Sequence, residues 1–298
     1  MSVTDHIHAP RLQPLALLEL IKPVTWFPPM WAYLCGLIAA GGTWADWRLG
    51  VVGIVLAGPI VCGMSQAAND WCDRHVDAIN EPNRPIPSGR IPGRLGLYVA
   101  WAMSALALWV GSWLGPWGFG ATLAAVAAAW AYSAKPVRAK RSGWWGPGLV
   151  GLSYEALPWW TGAVVVLGTA PQFEITAIAL LYGLGAHGIM TINDFKAIEG
   201  DRQMGLKSLP VVLGPTDAAT VAGTVMVLSQ LVVVALLLIW GAAWHAGLIG
   251  LGIGVQIWAL GRWRQAPAAR APWFNGTGVG PYVLGMMVAA HALRGMGL

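Results

Sequence analysis

Nine runs of mostly apolar residues alternate with short polar loops along the chain, at roughly 24–43, 49–69, 95–114, 117–134, 146–168, 173–193, 215–240, 243–261 and 278–297. A helix of about 20 apolar residues spans a bilayer. Non-helical backbone cannot face lipid, and no ten-residue alternation of apolar and polar positions suggests a barrel. The pattern therefore predicts an all-α membrane protein with about nine transmembrane helices. Pro28, Pro29, Pro59 and Pro158 fall inside these runs and predict kinks. Residues 1–23 have acids before and after a short apolar run and no small-residue cleavage pattern. They read as a lead-in lying near the interface rather than a signal peptide, with 24–298 as a single transmembrane domain.

Composition agrees with the pattern. The 298 residues are 56% hydrophobic and 10% charged, whereas soluble domains carry about 25% charged residues. Nineteen Trp fit interfacial anchoring and 39 Gly fit close helix packing in lipid. The three cysteines, Cys35, Cys62 and Cys72, have no spacing that implies a disulfide framework or a zinc site. The net charge of +5 comes with no basic run interleaved with aromatics, so it does not point to nucleic acid. It is a matter of sidedness. Sixteen of the 18 Lys and Arg lie in the N-terminal segment and the loops after spans two, four, six and eight; Arg48 and Arg294 are the exceptions. The positive-inside rule places that side, and the N-terminus, in the cytoplasm.

Two stretches break the apolar text, Asn69–Arg90 and Asn193–Ser208, and both fall on the cytoplasmic side. The first holds Asp70, Asp73, Asp77 and Glu81; the second holds Asp194, Glu199 and Asp201. Both begin Asn-Asp at the end of a span, and four spans separate them, a weak hint of two related four-helix units plus a ninth helix. On a helix, Asn69 and Asp73 share a face, as do Asp70, Asp73 and Asp77, and Asp194 and Asp201. Like charges at the edge of a low-dielectric region repel. A hard divalent cation such as Mg²⁺ relieves this, and it prefers to share its sphere with a phosphate substrate. Basic residues on the same side complete the neutralisation of a diphosphate: Arg84, Arg90, Lys135, Arg138, Lys140, Arg141, Lys196, Arg202 and Lys207. A diphosphate at the surface with a hydrocarbon tail among the helices describes a polyprenyl diphosphate, with membrane lipid around it. Solvated surface loops are the bland alternative, and two matched stretches on one side weigh against it. A cation transporter is the alternative from another class. It should carry acids near mid-membrane, whereas seven of the 13 acids sit in these two stretches.

These residues resemble the UbiA superfamily of intramembrane prenyltransferases. The first stretch matches N-D-x-x-D-x-x-x-D at Asn69, Asp70, Asp73 and Asp77, then R-P-[IL]-P-S-G-R at Arg84–Arg90. The second matches D-x6-D at Asp194 and Asp201, ending G-[IL]-K-S at Gly205–Ser208. The resemblance implies a UbiA-type helical bundle with a cytoplasmic-side site. It implies Mg²⁺ on Asn69, Asp70, Asp73, Asp77, Asp194 and Asp201. Diphosphate falls to Arg84, Lys135, Arg138, Arg141, Lys196, Arg202 and Lys207, with Asp73, Asp201, Lys135 and Arg138 central to catalysis. An acid that several members carry four residues before the last Asp is here Ala197; Glu199 is the candidate substitute. Within the superfamily the text looks like the (bacterio)chlorophyll synthases of purple bacteria nearly end to end, as in GMSQAANDWCDRHVDAINEPNRPIPSGRIP and HGIMTINDFKAIEGDRQMGLKSLPV. That implies esterification of the propionate of bacteriochlorophyllide a by geranylgeranyl or phytyl diphosphate in a bacterial inner or intracytoplasmic membrane. A plant-type chlorophyll synthase and a protohaem farnesyltransferase are the rivals. His187, Tyr154 and Glu155 are candidates for the chlorin, His187 as a ligand to its central metal; a hydrogen-bonded structural histidine is the competing reading. Trp144, Trp145, Trp159 and Trp160 are candidates to pack on a flat macrocycle, or interfacial anchors.

Overall fold

A computed structural model describes residues 14–297, so residues 1–13 of the expected lead-in lie outside the described residues. Every regular element among the described residues is helical. One isolated parallel bridge joins Ser142 to Lys207.

The remainder of the lead-in is packed against the bundle. Helix α1 (Pro14–Leu20) buries Ala16 and Leu20 against Ala67, Ala68, Ile91 and Ala100. Pro28 and Pro29 stand in the first turn of α2 (Phe27–Ala39). They start that helix rather than kink it, because the first turn needs no intrahelical N–H. The next helical run is α3 (Trp47–Val55), a π-helical segment (Leu56–Cys62) and α4 (Gly63–Asn80). Pro59 sits inside the π segment, whose wider turn absorbs the missing donor. Helices α5 (Leu95–Gly111) and α6 (Gly115–Ser133) pack on each other around a break at Ser112–Leu114, where Gly115 takes φ +75°. Then come α7 (Trp145–Gly151), a second π segment (Leu152–Ala156) and α8 (Leu157–Leu167), with Pro158 in the first turn of α8. Helix α9 (Phe173–Asp194) ends on the second acidic stretch, which contains α10 (Ile198–Gln203). The chain closes with α11 (Leu209–Leu213), α12 (Pro215–Ile239), α13 (Ala243–Trp263), α14 (Pro267–Thr277) and α15 (Val279–Gly295).

The expected count of nine spans is not confirmed. Among the described residues, five helical runs are long and apolar enough to cross a membrane by length and composition: Trp44–Ile79, Leu95–Ser133, Phe173–Asp194, Pro215–Ile239 and Ala243–Trp263. The 24–43 run shortens to the 13 residues of α2 and 278–297 to the 17 of α15, 95–114 with 117–134 form one run through Gly115, and 146–168 is not among the five.

Small residues hold the bundle together. Gly36 of α2 faces the backbone carbonyl of Trp159 in α8, and Gly162 of α8 faces that of Tyr33 in α2; a Cβ on either would strike that oxygen. Close glycine contacts replace the hydrophobic drive that lipid removes. Between α12 and α13, Gln230 and Gln256 exchange buried amide hydrogen bonds of 2.8 and 3.2 Å. What remains open is a cavity bounded by α2, both π segments, α4, α6, α9 and α15.

Candidate active site

The cavity measures about 1730 Å³, above the roughly 300–1,000 Å³ of ordinary small-molecule sites. One end is charged and the rest is mainly apolar. Helix α4 presents Asn69, Asp73 and Asp77 to it, at i, i+4 and i+8, one stripe of a helix. Asp194, from the end of α9, and Asp201, from α10, line the same cavity. Arg84, Lys135, Arg138, Lys140, Arg141 and Lys196 complete the charged end.

The first-motif acids are all engaged by cations. Asp73 accepts from Arg138 Nη2 at 3.0 Å and from Lys140 Nζ. Lys140 also donates to Asn69 Oδ1 at 3.0 Å. Burial pulls the Lys140 ammonium pKa down, and the Asp73 charge opposes that. Asp77 accepts from Arg84 Nη1 at 2.9 Å, and Arg84 also grips Glu81 at 2.7 Å. The second-motif acids differ. Among the described residues, no basic group lies within ion-pair distance of Asp194 or Asp201. Burial holds the Asp201 carboxyl above the ordinary aspartate range.

The basic loop is pinned to the second motif. Gly143 N donates to Lys207 O at 2.8 Å, and Lys207 N donates to Arg141 O at 3.2 Å. Gly143 lies so close that a Cβ there would meet Leu209 N at 2.5 Å. The turn carrying Lys135–Arg141 and the Gly205–Ser208 end of the second motif are therefore one structural unit. Two described non-glycine residues have left-handed backbone, Lys22 (φ 44°) and Arg138 (φ 43°), and each pairs with an acid of the first motif. Strained backbone of this kind collects at sites that fix a side chain.

Several expected site residues lie elsewhere. Asp70 is not on the cavity wall. It is 1% exposed and turned to Lys22 Nζ at 2.6 Å, with Arg84 Nη1 at 3.5 Å, because a residue one step from Asn69 is rotated about 100° from the stripe. Arg202 is exposed and paired with Glu199 at 2.8 Å, so neither it nor Glu199, the substitute at the Ala197 departure, faces the cavity; Ala197 does. Lys207 serves through its backbone and is absent from the wall. Of the chlorin candidates, Tyr154 lines the cavity and His187 and Glu155 do not. His187 is buried beside Trp144, ring centroids 5.5 Å apart. Glu155 is buried with Oε2 unpartnered. Trp144, Trp145, Trp159 and Trp160 are all off the wall.

Other wall residues had no assigned role. Tyr154 meets Ser65 Oγ at 2.7 Å, accepts from Gln66 Nε2 at 3.4 Å and from Cys62 Sγ at 3.4 Å, all on the wall. This polar node lies one to two turns below Asn69 on the same helical run. Counting back from Asp73 in steps of three and four reaches it. Lys22 had no such signal, being 48 residues from Asp70.

The donors suit Mg²⁺: every candidate ligand on the wall is a carboxylate or amide oxygen. Among the described residues no group of three or more His, Cys, Asp or Glu is gathered closely enough to hold a metal alone. The first stretch sets Asp73, Asp77 and Glu81 on the cavity and the second Asp194 and Asp201, a scattered set that fits an ion completing its sphere with water and substrate phosphate.

Residues 29–278 match the UbiA prenyltransferase family. The chain is 62% identical over 299 residues to the bacteriochlorophyll synthase 33 kDa chain of Cereibacter sphaeroides, with 99% of each chain covered. It is 64% identical over 287 residues to the protein of that name from Rhodobacter capsulatus, covering 95% of this chain and 94% of the other. Its fold matches that of a UbiA homolog from Archaeoglobus fulgidus bound to DMAPP and Mg²⁺, with a TM-score of 0.66 at 19% identity over 92% of this chain and 99% of that one. The chain belongs to the UbiA prenyltransferase family and is a multi-pass membrane protein.

Proposed function

We propose that this enzyme esterifies the propionate of bacteriochlorophyllide a with geranylgeranyl or phytyl diphosphate, releasing diphosphate. The observation that carries the reading is one cavity joining a charged end, made of both acidic motifs and six cations, to an apolar chamber large enough for two bulky substrates. The names of the 62–64% identical relatives support the choice of acceptor. The sidedness of Lys and Arg supports a cytoplasmic N-terminus in a bacterial inner or intracytoplasmic membrane, with residues 24–298 as one transferase domain.

The chemistry follows from the charges. The allylic C–O bond breaks with its electron pair leaving on the diphosphate, and a propionate oxygen forms the new bond to the same carbon. Reference values leave the propionate ionised near pH 7, so no general base is required. Arg84, Lys135, Arg138, Lys140, Arg141 and Lys196 neutralise the leaving diphosphate. Asp73, Asp194 and Asp201, with Asn69 and Asp77 beside them, are the residues that would hold Mg²⁺. When bound, Mg²⁺ supplies further positive charge to the leaving group. The apolar walls exclude water, which would otherwise capture the allylic carbon.

Membranes holding the protein, supplied with bacteriochlorophyllide a, geranylgeranyl diphosphate and Mg²⁺, should yield the ester and diphosphate. Activity retained after Asp73→Ala or Asp201→Ala would overturn the metal assignment. Turnover of chlorophyllide but not bacteriochlorophyllide would overturn the acceptor. Competition between geranylgeranyl and phytyl diphosphate in the same assay decides the donor.

A further inference from the structure

A second, smaller site lies on the outer surface where α13 turns into α14. Trp258 and Arg262 stand at i and i+4 on α13; Arg270 and Trp273 stand at i and i+3 on α14. The four line a groove of about 490 Å³ that shares no residue with the catalytic cavity. Arg262 lies over the Trp258 ring at 5.5 Å, and Trp258 meets Trp273 edge-on at 5.8 Å. Arg270 Nη1 is folded onto the end of α13, donating to Arg262 O at 2.5 Å and Gln265 Oε1 at 2.8 Å. The corner beneath is rigid. Buried Trp263 stacks on Phe274 at 4.3 Å and donates to Pro267 O at 2.9 Å.

The charge here has no counterpart in the local chain. Asp217 is the last acid in the sequence, while Arg262, Arg264 and Arg270 fall within nine residues. Among the described residues none of the three pairs with a carboxylate. Sidedness alone would leave such arginines splayed in water. Here two guanidinium groups are instead held at the mouth of a tryptophan-walled groove. The groove lies at the end of a helix long and apolar enough to span a membrane, which is the level of lipid phosphates.

We propose that this groove binds one anionic phospholipid, its phosphate between Arg262 and Arg270 and an acyl chain against Trp258 and Trp273. Arginine suits a phosphodiester through its forked donors, and the indole walls suit a methylene chain. An uncharged or zwitterionic lipid leaves the local positive charge unneutralised.

The test counts retained lipid by native mass spectrometry of the full-length protein in mixed micelles, with dioleoylphosphatidylglycerol or dioleoylphosphatidylcholine at equal concentration. One phosphatidylglycerol should be retained, about tenfold in preference to phosphatidylcholine. A basic residue near an anionic headgroup contributes about 1 kcal/mol, so Arg262→Gln should weaken retention about fivefold, and adding Arg270→Gln about fivefold again. Arg264→Gln, outside the groove, should leave retention unchanged, and millimolar inorganic phosphate should not compete. Equal retention of the two lipids, an equal loss in Arg264→Gln, or displacement by inorganic phosphate would each overturn the proposal. Arg262→Gln alone decides the matter if loss of the Arg270 contacts destabilises the corner.

Discussion

Replacing Lys22 by methionine separates a structural from a metal-binding role for Asp70. The change removes the ammonium 2.6 Å from a carboxylate that is 1% exposed. At an effective dielectric near 20, that pair attracts by roughly 6 kcal/mol before desolvation is subtracted. Breaking a buried pair by deleting one partner costs roughly 3–5 kcal/mol, because the other charge stays buried. The low end, about 3 kcal/mol, is expected, since Lys22 is 25% exposed and Arg84 remains 3.5 Å from Asp70. Thermal unfolding in detergent should show an apparent Tm lower by roughly 5–10 °C. Lys22→Met combined with Asp70→Asn should recover most of that loss, because the orphaned charge is gone and Arg84 keeps Asp77 and Glu81. The double variant should also keep prenyl transfer. An unchanged Tm in Lys22→Met would refute the buried-pair reasoning. A stable but inactive double variant would return Asp70 to the metal.

Three further outcomes are expected. Arg138→Ala and Lys140→Ala should each lower kcat by about 10²–10³, as loss of one group stabilising developing negative charge does, measured by diphosphate release. A chelator that removes Mg²⁺ should abolish turnover and leave the helical circular dichroism unchanged, with activity restored by Mg²⁺; persistent turnover would contradict the shared-metal reading. Hydrogen bonding from Arg90 lowers the pKa of Glu19, so the latch from α1 to the turn after α4 contributes stability above the ordinary glutamate range and loses it as pH falls through the lowered value. Protease cleavage near α1 should therefore rise on acidification, and Glu19→Gln should be cleaved at the fast rate at all pH values.

The helical, membrane-embedded character of the chain was legible in its apolar runs, because lipid permits few alternatives. So was the pairing of the two acidic stretches, since each emerges from an apolar run on the same side by charge asymmetry. Three things were not legible. Spacing allowed either Asn69 with Asp73 or Asp70 with Asp73 and Asp77 to face the site. The structure places Asn69, Asp73 and Asp77 on the cavity and turns Asp70 towards Lys22, a contact set by tertiary packing across 48 positions. Charge alone grouped Arg202 and Lys207 with the wall cations, although α10 points Arg202 at Glu199 and the Lys207 backbone is used to pin a loop. Hydropathy ran past the breakers, so Pro28, Pro29 and Gly115 were read inside or between spans where they in fact begin or bend helices.

The π segment at Leu56–Cys62 sets the rotational phase of the first motif. A π turn carries an extra residue, and one residue corresponds to about 100° around a helix. Wound as regular α-helix, the same seven residues would turn everything downstream by about one residue. Ala68 would then stand about where Asn69 stands, and Cys72 where Asp73 does. The pattern of carboxylates is therefore written in α4, but its aim is set by an irregular turn seven to thirteen residues upstream of Asn69. A second π segment, Leu152–Ala156, carries Tyr154 on the cavity and turns Glu155 away from it.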